Sequence, residues 1–321
     1  RSTLFPYTTL FRSSYGWICI GGYGNTKNGT GFSGTFEGND NRISNLYIND
    51  EEETNFSGFV GKTYGNLLNL IVLGNIYSKS TNTGGVCGSA SNCIVKECSF
   101  NGIINNIYVQ AYGTGGIVGC GSAQIIDCYC RGKVEGSNNY VGGIVGEYTG
   151  YSEISYCYNE SNVIGNKSYA GGIIGHCKGA DKISNCYNIG KIESVGGAAG
   201  IIAYRYRNIE NCYNTGEIIG KNNVGGIGGY GDWRQNIQIS QCFNEGKVTG
   251  NSEIGGIVGS NDTTYNLTLN KCYNKGKITS TNGFACGIAG NLNSSESKVT
   301  NCYNYGIING KNVSGISKGS S

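Results

Sequence analysis

Residues 183–192 read Ile183-Ser184-Asn185-Cys186-Tyr187-Asn188-Ile189-Gly190-Lys191-Ile192, and the pattern returns at 209–218, 239–248, 269–278 and 299–308. Its marker is a cysteine, an aromatic ring and an asparagine. It runs Cys157-Tyr158-Asn159, Cys186-Tyr187-Asn188, Cys212-Tyr213-Asn214, Cys242-Phe243-Asn244, Cys272-Tyr273-Asn274 and Cys302-Tyr303-Asn304. Cys128-Tyr129-Cys130 is a variant, and Cys98 begins a degenerate earlier copy. From Cys98 to Cys302 the successive intervals are 30, 29, 29, 26, 30, 30 and 30 residues. So constant an interval is a structural repeat, and periods of about 20–50 residues mark solenoids, propellers or arrays.

Working outward, each unit has the same internal order. An apolar residue sits three before the cysteine: Ile125, Ile154, Ile183, Ile209, Ile239, Leu269, Val299. After the cysteine comes Gly-x-Ile/Val, as in Gly132–Val134, Gly190–Ile192 and Gly246–Val248. Then comes Gly-Gly-Ile-x-Gly, as in Gly115–Gly119, Gly142–Gly146, Gly171–Gly175, Gly225–Gly229 and Gly255–Gly259, with variants at Gly84–Gly88, Ala199–Ala203 and Cys286–Gly290. Three short apolar segments bounded by Gly or Asn read as three strands per unit. None is long enough or has the 3.6 period for a helix. One unit cannot bury its own apolar face, whereas stacked units bury each other's. The sequence therefore predicts an all-β fold, a parallel β-helix (β-solenoid) with three short strands per rung of about 29 residues. Parallel crossovers favour a right-handed coil. Room from Ile43 onward for about nine or ten rungs gives a rod roughly 45–50 Å long at strand spacing. A propeller blade needs about 40 residues or more, so the interval is too short for one.

Composition agrees. The chain has 321 residues, 56 of them glycine and 41 asparagine, with one proline and no methionine. Glycine is costly inside helices and β-branched residues favour strands, so a helical bundle is excluded. Lys and Arg number 24 against 21 Asp and Glu, which excludes a strongly basic nucleic-acid binder. Hydrophobic residues at 38% with low net charge exclude a disordered chain. The most apolar run, Leu67–Leu73, is too short to span a membrane.

The Gly-Gly-Ile-Val-Gly and Ile-x-x-Cys-Tyr-Asn-x-Gly-x-Ile segments resemble the GLUG-motif repeats of bacterial surface proteins. Trp17–Gly21, Phe32–Asn39 and Ile43–Ile48 resemble the lead-in that precedes such repeats, and Phe56–Gly61 resembles a first copy of the Gly-rich motif. The resemblance spans 14–321; residues 14–62 are the lead-in and 63–321 the repeats, stopping partway through one. It implies a large cell-surface or secreted protein, either adhesin-like or the non-catalytic part of an immunoglobulin-A1-type metallopeptidase, and brings no catalytic residues. Cysteine stands here where serine is common in the family. Residues 1–13, which hold the lone Pro6, share no pattern with the rest and resemble translated sequencing adapter.

Read as chemistry, the columns are mostly structural. Cysteines about 30 apart are unlike a zinc site, which needs a close Cys pair. The eight column cysteines are read as a buried ladder of free thiols, with disulfides between rungs as the alternative. The asparagine column is read as a turn-stabilising amide ladder, with a ligand-binding row as the alternative. The aromatic column is read as stacked rings, with sugar docking as the alternative. Lys133, Lys191, Lys247 and Lys277, interrupted by Glu217, read as a solvated strand face, with binding of an anionic polymer as the alternative. His176, the chain's single histidine, is placed in a turn after Gly171–Gly175. No His-Glu-x-x-His and no phosphate loop occur. Asp127, Glu135, Glu147, Glu153 and Glu160 lie in nearby rungs, but spacing alone pairs none of them.

The expectation is therefore a non-enzymatic segment with no catalytic, cofactor or metal residues. It is expected to be extracellular or at the cell surface and to present itself to a host or matrix protein or glycan. Nucleic acid and membrane insertion are not expected. An accessory region of a large surface peptidase is the alternative, and a glycan-active β-helix enzyme is a third reading.

Overall fold

Apolar residues spaced one rung apart can meet only if successive units stack in register, and that is how the chain is built. A computed structural model describes residues 17–21, 31–50, 52–179, 182–206, 208–231, 236–261 and 266–318. The adapter-like segment 1–13 lies outside the described residues. Among the described residues every element is a strand, and the strands form four sheets of ten, sixteen, ten and nine members. Each pairing is parallel and joins one turn to the next, giving about nine turns of β-solenoid.

One turn shows the path. Ile154–Ser155 lies on the first sheet, Tyr158–Asn159 and Asn162–Gly165 on the second, Tyr169–Gly171 on the third and Ile174–Cys177 on the fourth. The next turn repeats it in register, pairing Ile154 with Ile183, Tyr158 with Tyr187, Val163 with Ile192, Ala170 with Ala198 and Ile174 with Ile202. The sequence reading allotted three strands to a rung, and the turn crosses four sheets. The difference lies in Gly-Gly-Ile-x-Gly, which does not run straight. It folds at its second glycine, so its ends join different sheets. The other two segments, around Cys-Tyr-Asn and Gly-x-Ile, share the second sheet.

The core is a single narrow channel. Ile154, Val163, Ala170, Ile173 and Ile174 are fully buried, as are their counterparts in neighbouring turns. Each buried Ile contributes roughly 1.5–3 kcal/mol relative to exposure. The second glycine of the Gly-Gly pair sets the channel's width. A Cβ on Gly172 would lie 2.0 Å from the Gly200 carbonyl oxygen and 2.6 Å from Asn188 Cγ. The asparagine of one wall thus reaches across to glycine backbone on the other.

The first and second sheets meet at a corner with an unusual backbone. The residue before each column cysteine has φ between 51° and 57°: Glu97, Asp127, Tyr156, Asn185, Asn211, Gln241, Lys271 and Asn301. This left-handed conformation costs a non-glycine residue about 1–2 kcal/mol. The thiol that follows stabilises it, because each column Sγ donates to the carbonyl two residues back at 3.1–3.4 Å.

Candidate functional site

Because the turns are in register, a side chain at one position becomes a row along the rod, and any site on this fold is such a row or the meeting of two. The inward rows come first. Column cysteines 98, 128, 157, 186, 212, 242 and 272 are fully buried and Cys302 is half-buried; all are free thiols. Burial pushes the thiols of Cys98, Cys128, Cys157, Cys186 and Cys242 well up, in Cys98 behind the bond to Cys128 and in the others as the chief cause. Cys212 and Cys272 are shifted the other way, held down chiefly by bonds from the neighbouring column thiols in the case of Cys272 and against burial in the case of Cys212; the column as built is a row of free thiols, the arrangement of the ladder reading.

The second inward row is the asparagines. Asn159, Asn188, Asn214, Asn244 and Asn274 are fully buried. Each donates Nδ2 to the Oδ1 of the next at 2.7–2.8 Å, ending on Asn304. Each also donates to the carbonyl two residues on, at 2.8–3.0 Å. At the start of the row, the Asn159 Oδ1 accepts from the Ser161 N–H. The amides are thus engaged with one another and with their own turns, as the ladder reading requires, and leave no face for a ligand.

The outward rows lie on the second sheet. Tyr129, Tyr158, Tyr187, Tyr213, Phe243 and Tyr273 stack with centroids 4.8–4.9 Å apart and planes within 3°. They are half-exposed. Arg131 and Lys275 lie over the end rings Tyr129 and Tyr273, 4.9 and 5.2 Å from their centres. A sugar docks by laying a C–H face on a ring face, and these faces are already covered by the next ring or by a cation. The row offers ring edges and phenol hydroxyls, which favours the stacking reading over sugar docking.

The lysine row beside it is not a bare positive stripe. Lys133 pairs with Glu135 at 2.6 Å, Lys191 with Glu193 at 2.9 Å and Lys247 with Glu217 at 2.9 Å. One row over, Arg131 holds Glu160 at 2.6 Å and Lys275 holds Glu245 at 2.8 Å. Exposed pairs of this kind contribute little stability. With Lys133, Lys191 and Lys247 each beside a carboxylate, they do weaken the field an anionic polymer would need.

The carboxylates that drew attention in the sequence are not brought together. Glu135 is in a strand of the second sheet and Glu160 in the break between Tyr158–Asn159 and Asn162–Gly165, each with its cation, and Glu135 also accepts from Asn166 at 2.9 Å. Glu153 accepts from Ser184 Oγ at 2.7 Å, and Asp127 sits at the left-handed corner. Glu147 alone is buried.

Glu147 forms a cluster that the sequence did not reveal. His176 lies in strand Ile174–Cys177 rather than in a turn, directly in register with Glu147 one turn before and Tyr204 one turn after. It is 2% exposed. Its Nδ1 is 3.2 Å from Glu147 Oε1, and Lys178 Nζ reaches the same oxygen at 2.6 Å. Tyr140 and Tyr204 cover the imidazole, with centroids 4.2 and 5.0 Å away. Burial holds His176 below its ordinary value, with the Glu147 contact opposing. Burial pulls the Glu147 carboxyl up, but the contacts with His176 and Lys178 outweigh it and leave it below the usual range. All four residues of Ile174–Cys177 are buried, so the strand has no in–out alternation that could have marked His176 as covered.

Among the described residues no group of three or more His, Cys, Asp or Glu side chains is placed to hold a metal ion. No described helix is long and apolar enough to cross a membrane.

Residues 137–164 match the family model of the GLUG motif. That segment runs through all four sheets and is one full turn of the coil. No curated protein and no solved structure gives a match to the chain.

Proposed function

We propose that this GLUG-repeat β-solenoid is a non-catalytic stalk or adhesion module of a bacterial surface or secreted protein, holding its outward rows toward a host or matrix protein or glycan. One observation carries the reading. Outside the single Glu147–His176–Lys178 cluster, the rows of chemically capable side chains recur rung after rung in structural bonds: thiols to corner carbonyls, amides to amides, rings to rings. Such a coil is extended and continuously cross-linked by backbone hydrogen bonds, which suits a spacer that must transmit force. The repetition of one surface along its length suits multivalent contact, where avidity exceeds the affinity of a single site.

The test has two arms. Beads carrying the purified chain are measured against surfaces coated with matrix proteins and against a glycan array, with beads bearing an unrelated β-solenoid as the reference. Retention above the reference supports adhesion, and equal retention reduces the chain to a spacer. In the second arm the chain is incubated with glycan and peptide libraries. Turnover that persists through repurification would refute the non-catalytic reading.

A further inference from the structure

The cysteine column is longer and more regular than its structural duty requires. Bonding to a corner carbonyl needs only a hydroxyl or thiol on each turn, and serine would serve. Here eight successive turns, from Cys98 to Cys302, all place a free thiol at that point, with no interruption. Other cysteines lack this arrangement: Cys120, Cys130 and Cys286 stand in register with Glu147, Asn159 and Gly255.

Strands of a sheet are about 4.8 Å apart, so equivalent sulfurs on successive turns are separated by about that distance. A metal–thiolate bond is about 2.3 Å, so an ion midway between two such sulfurs lies at bonding distance from both. We infer that the column is a binding site for soft monovalent ions, Ag(I) or Cu(I), one between each adjacent pair of thiols.

The charge balance selects the ion. Each bound ion replaces one S–H proton, which leaves to water, so the sulfur exchanges its bond to the corner carbonyl for bonds to metal, and each interior sulfur becomes a thiolate bridging two ions. Eight thiols have seven gaps, so a full column holds seven ions and releases seven protons, and its net charge is unchanged. A divalent ion in the same gap would leave an uncompensated positive charge in a dry core, at a cost of several kcal/mol per ion. Zinc further requires four ligands in a tetrahedron, and a gap supplies two. Soft thiolates favour Cu(I) over harder ions. Three of the column sulfurs, those of Cys212, Cys242 and Cys302, also have a backbone donor of the kind a bound thiolate needs. The backbone N–H groups of Cys186, Cys212 and Cys272 point at the sulfur of the following cysteine at 3.4 Å. Hydrogen bonds of that kind tune sulfur ligands at metal centres. Half-buried Cys302, with Cys272 beside it, is the pair where loading starts.

Silver nitrate alone is the probe, added to the reduced full-length chain in chloride-free buffer. Ions are counted by native mass spectrometry and strand content is followed by far-UV circular dichroism. Replacing an interior column cysteine closes two gaps, whereas an isolated thiol accounts for at most one ion. Cys212→Ser leaves four thiols on one side and three on the other, which hold three and two ions. The count therefore falls by two from the parent, and for Cys120→Ser by no more than one. Should Cys212→Ser fail to fold, Cys157→Ser divides the column differently and also costs two ions. X-ray absorption of the loaded parent should give two sulfur neighbours per silver. A loss of one ion or none in the folded interior variant, three or more sulfur neighbours, or loading that abolishes the strand signal would each overturn the inference.

Discussion

Replacing Asn214 with alanine tests whether the buried amide row holds the rungs together. Asn214 accepts from Asn188 Nδ2 at 2.7 Å, and donates to Asn244 Oδ1 at 2.8 Å and to the Gly216 carbonyl at 2.9 Å. Alanine removes all three bonds and leaves three partners facing a gap in the core. One amide proton of Asn188, the Asn244 Oδ1 and the Gly216 oxygen lose their partner. A buried unsatisfied group costs about 1–3 kcal/mol, so the three together set a floor of about 3 kcal/mol. The gap itself opens beside Gly200, the close-approach glycine on the facing wall, where a Cβ would lie 2.6 Å from Asn214 Cγ. Repeat arrays depart from two-state unfolding because each unit depends mainly on its neighbours. The measurement is therefore residue-resolved amide exchange, with urea unfolding alongside. Opening free energies around Asn188, Asn214 and Asn244 should fall by at least that floor, with smaller effects in turns further away. Asn162→Ala, at an exposed position of the same sheet, is the reference and should change stability by less than about 0.5 kcal/mol. If Asn214→Ala costs less than about 1 kcal/mol, the ladder is a by-product of stacking and not a cause of it.

Four further outcomes follow from the same geometry. Gly172→Ala should destabilise by more than about 3 kcal/mol, because its Cβ meets backbone that cannot move aside, whereas Gly315→Ala, with no atom within 4 Å, should be nearly neutral in urea unfolding. Tyr156→Gly should stabilise by about 1 kcal/mol in the same assay, since it relieves a left-handed corner at an exposed residue. Tyr187→Ala removes two ring contacts and should cost about 1–3 kcal/mol, with loss of coupled tyrosine bands in near-UV circular dichroism. Stability should fall as pH drops below about 6.5, because the unfolded chain takes up the His176 proton that the folded chain resists; Glu147, held low in the folded state, adds to the loss as pH falls through the carboxylate range. His176→Gln should remove the upper part of that pH dependence in urea titrations run at successive pH values.

The repeat was legible because stacking converts sequence period directly into spatial neighbours. The interval of 26 residues between Cys186 and Cys212 is three or four short of the others, yet Tyr187 pairs with Tyr213 and Ile192 with Ile218. The shortfall is taken up outside the paired strands, one residue in the connection before Gly197–Ala199 and two in the connection between Ile202–Tyr204 and Asn208–Glu210. The thiol and amide rows were legible for the same reason: a small polar side chain in a fixed inward position has only its own copies for company. The corner was not. Left-handed backbone is ordinarily signalled by glycine or asparagine, and here Glu97, Tyr156, Gln241 and Lys271 adopt it under tertiary control. The fourth sheet was hidden because a fold inside Gly-Gly-Ile-x-Gly alters direction without altering composition. The Glu147 cluster was hidden because its members, one turn apart, do not repeat.

The asparagine row also explains why the second sheet changes character along the rod. In the early turns its strands are continuous over eight residues, Ile71–Ser78, Ser99–Asn106 and Tyr129–Gly136. The inward position near the start of these strands holds Val72, Phe100 and Cys130, none of which bonds to the carbonyl two residues on as the later asparagines do. From Asn159 onward the same position is asparagine, and each strand breaks after it, as in Tyr158–Asn159 followed by Asn162–Gly165. The cause is local competition. The asparagine amide takes the carbonyl two residues ahead, which turns the backbone away from the ladder. Backbone pairing lost within the sheet is replaced by amide pairing along the core, where burial makes each bond strong and each omission costly. The later turns thus exchange a tolerant apolar wall for one that accepts a single residue type opposite a single glycine. That exchange fixes the register of the solenoid where its sheets are most broken.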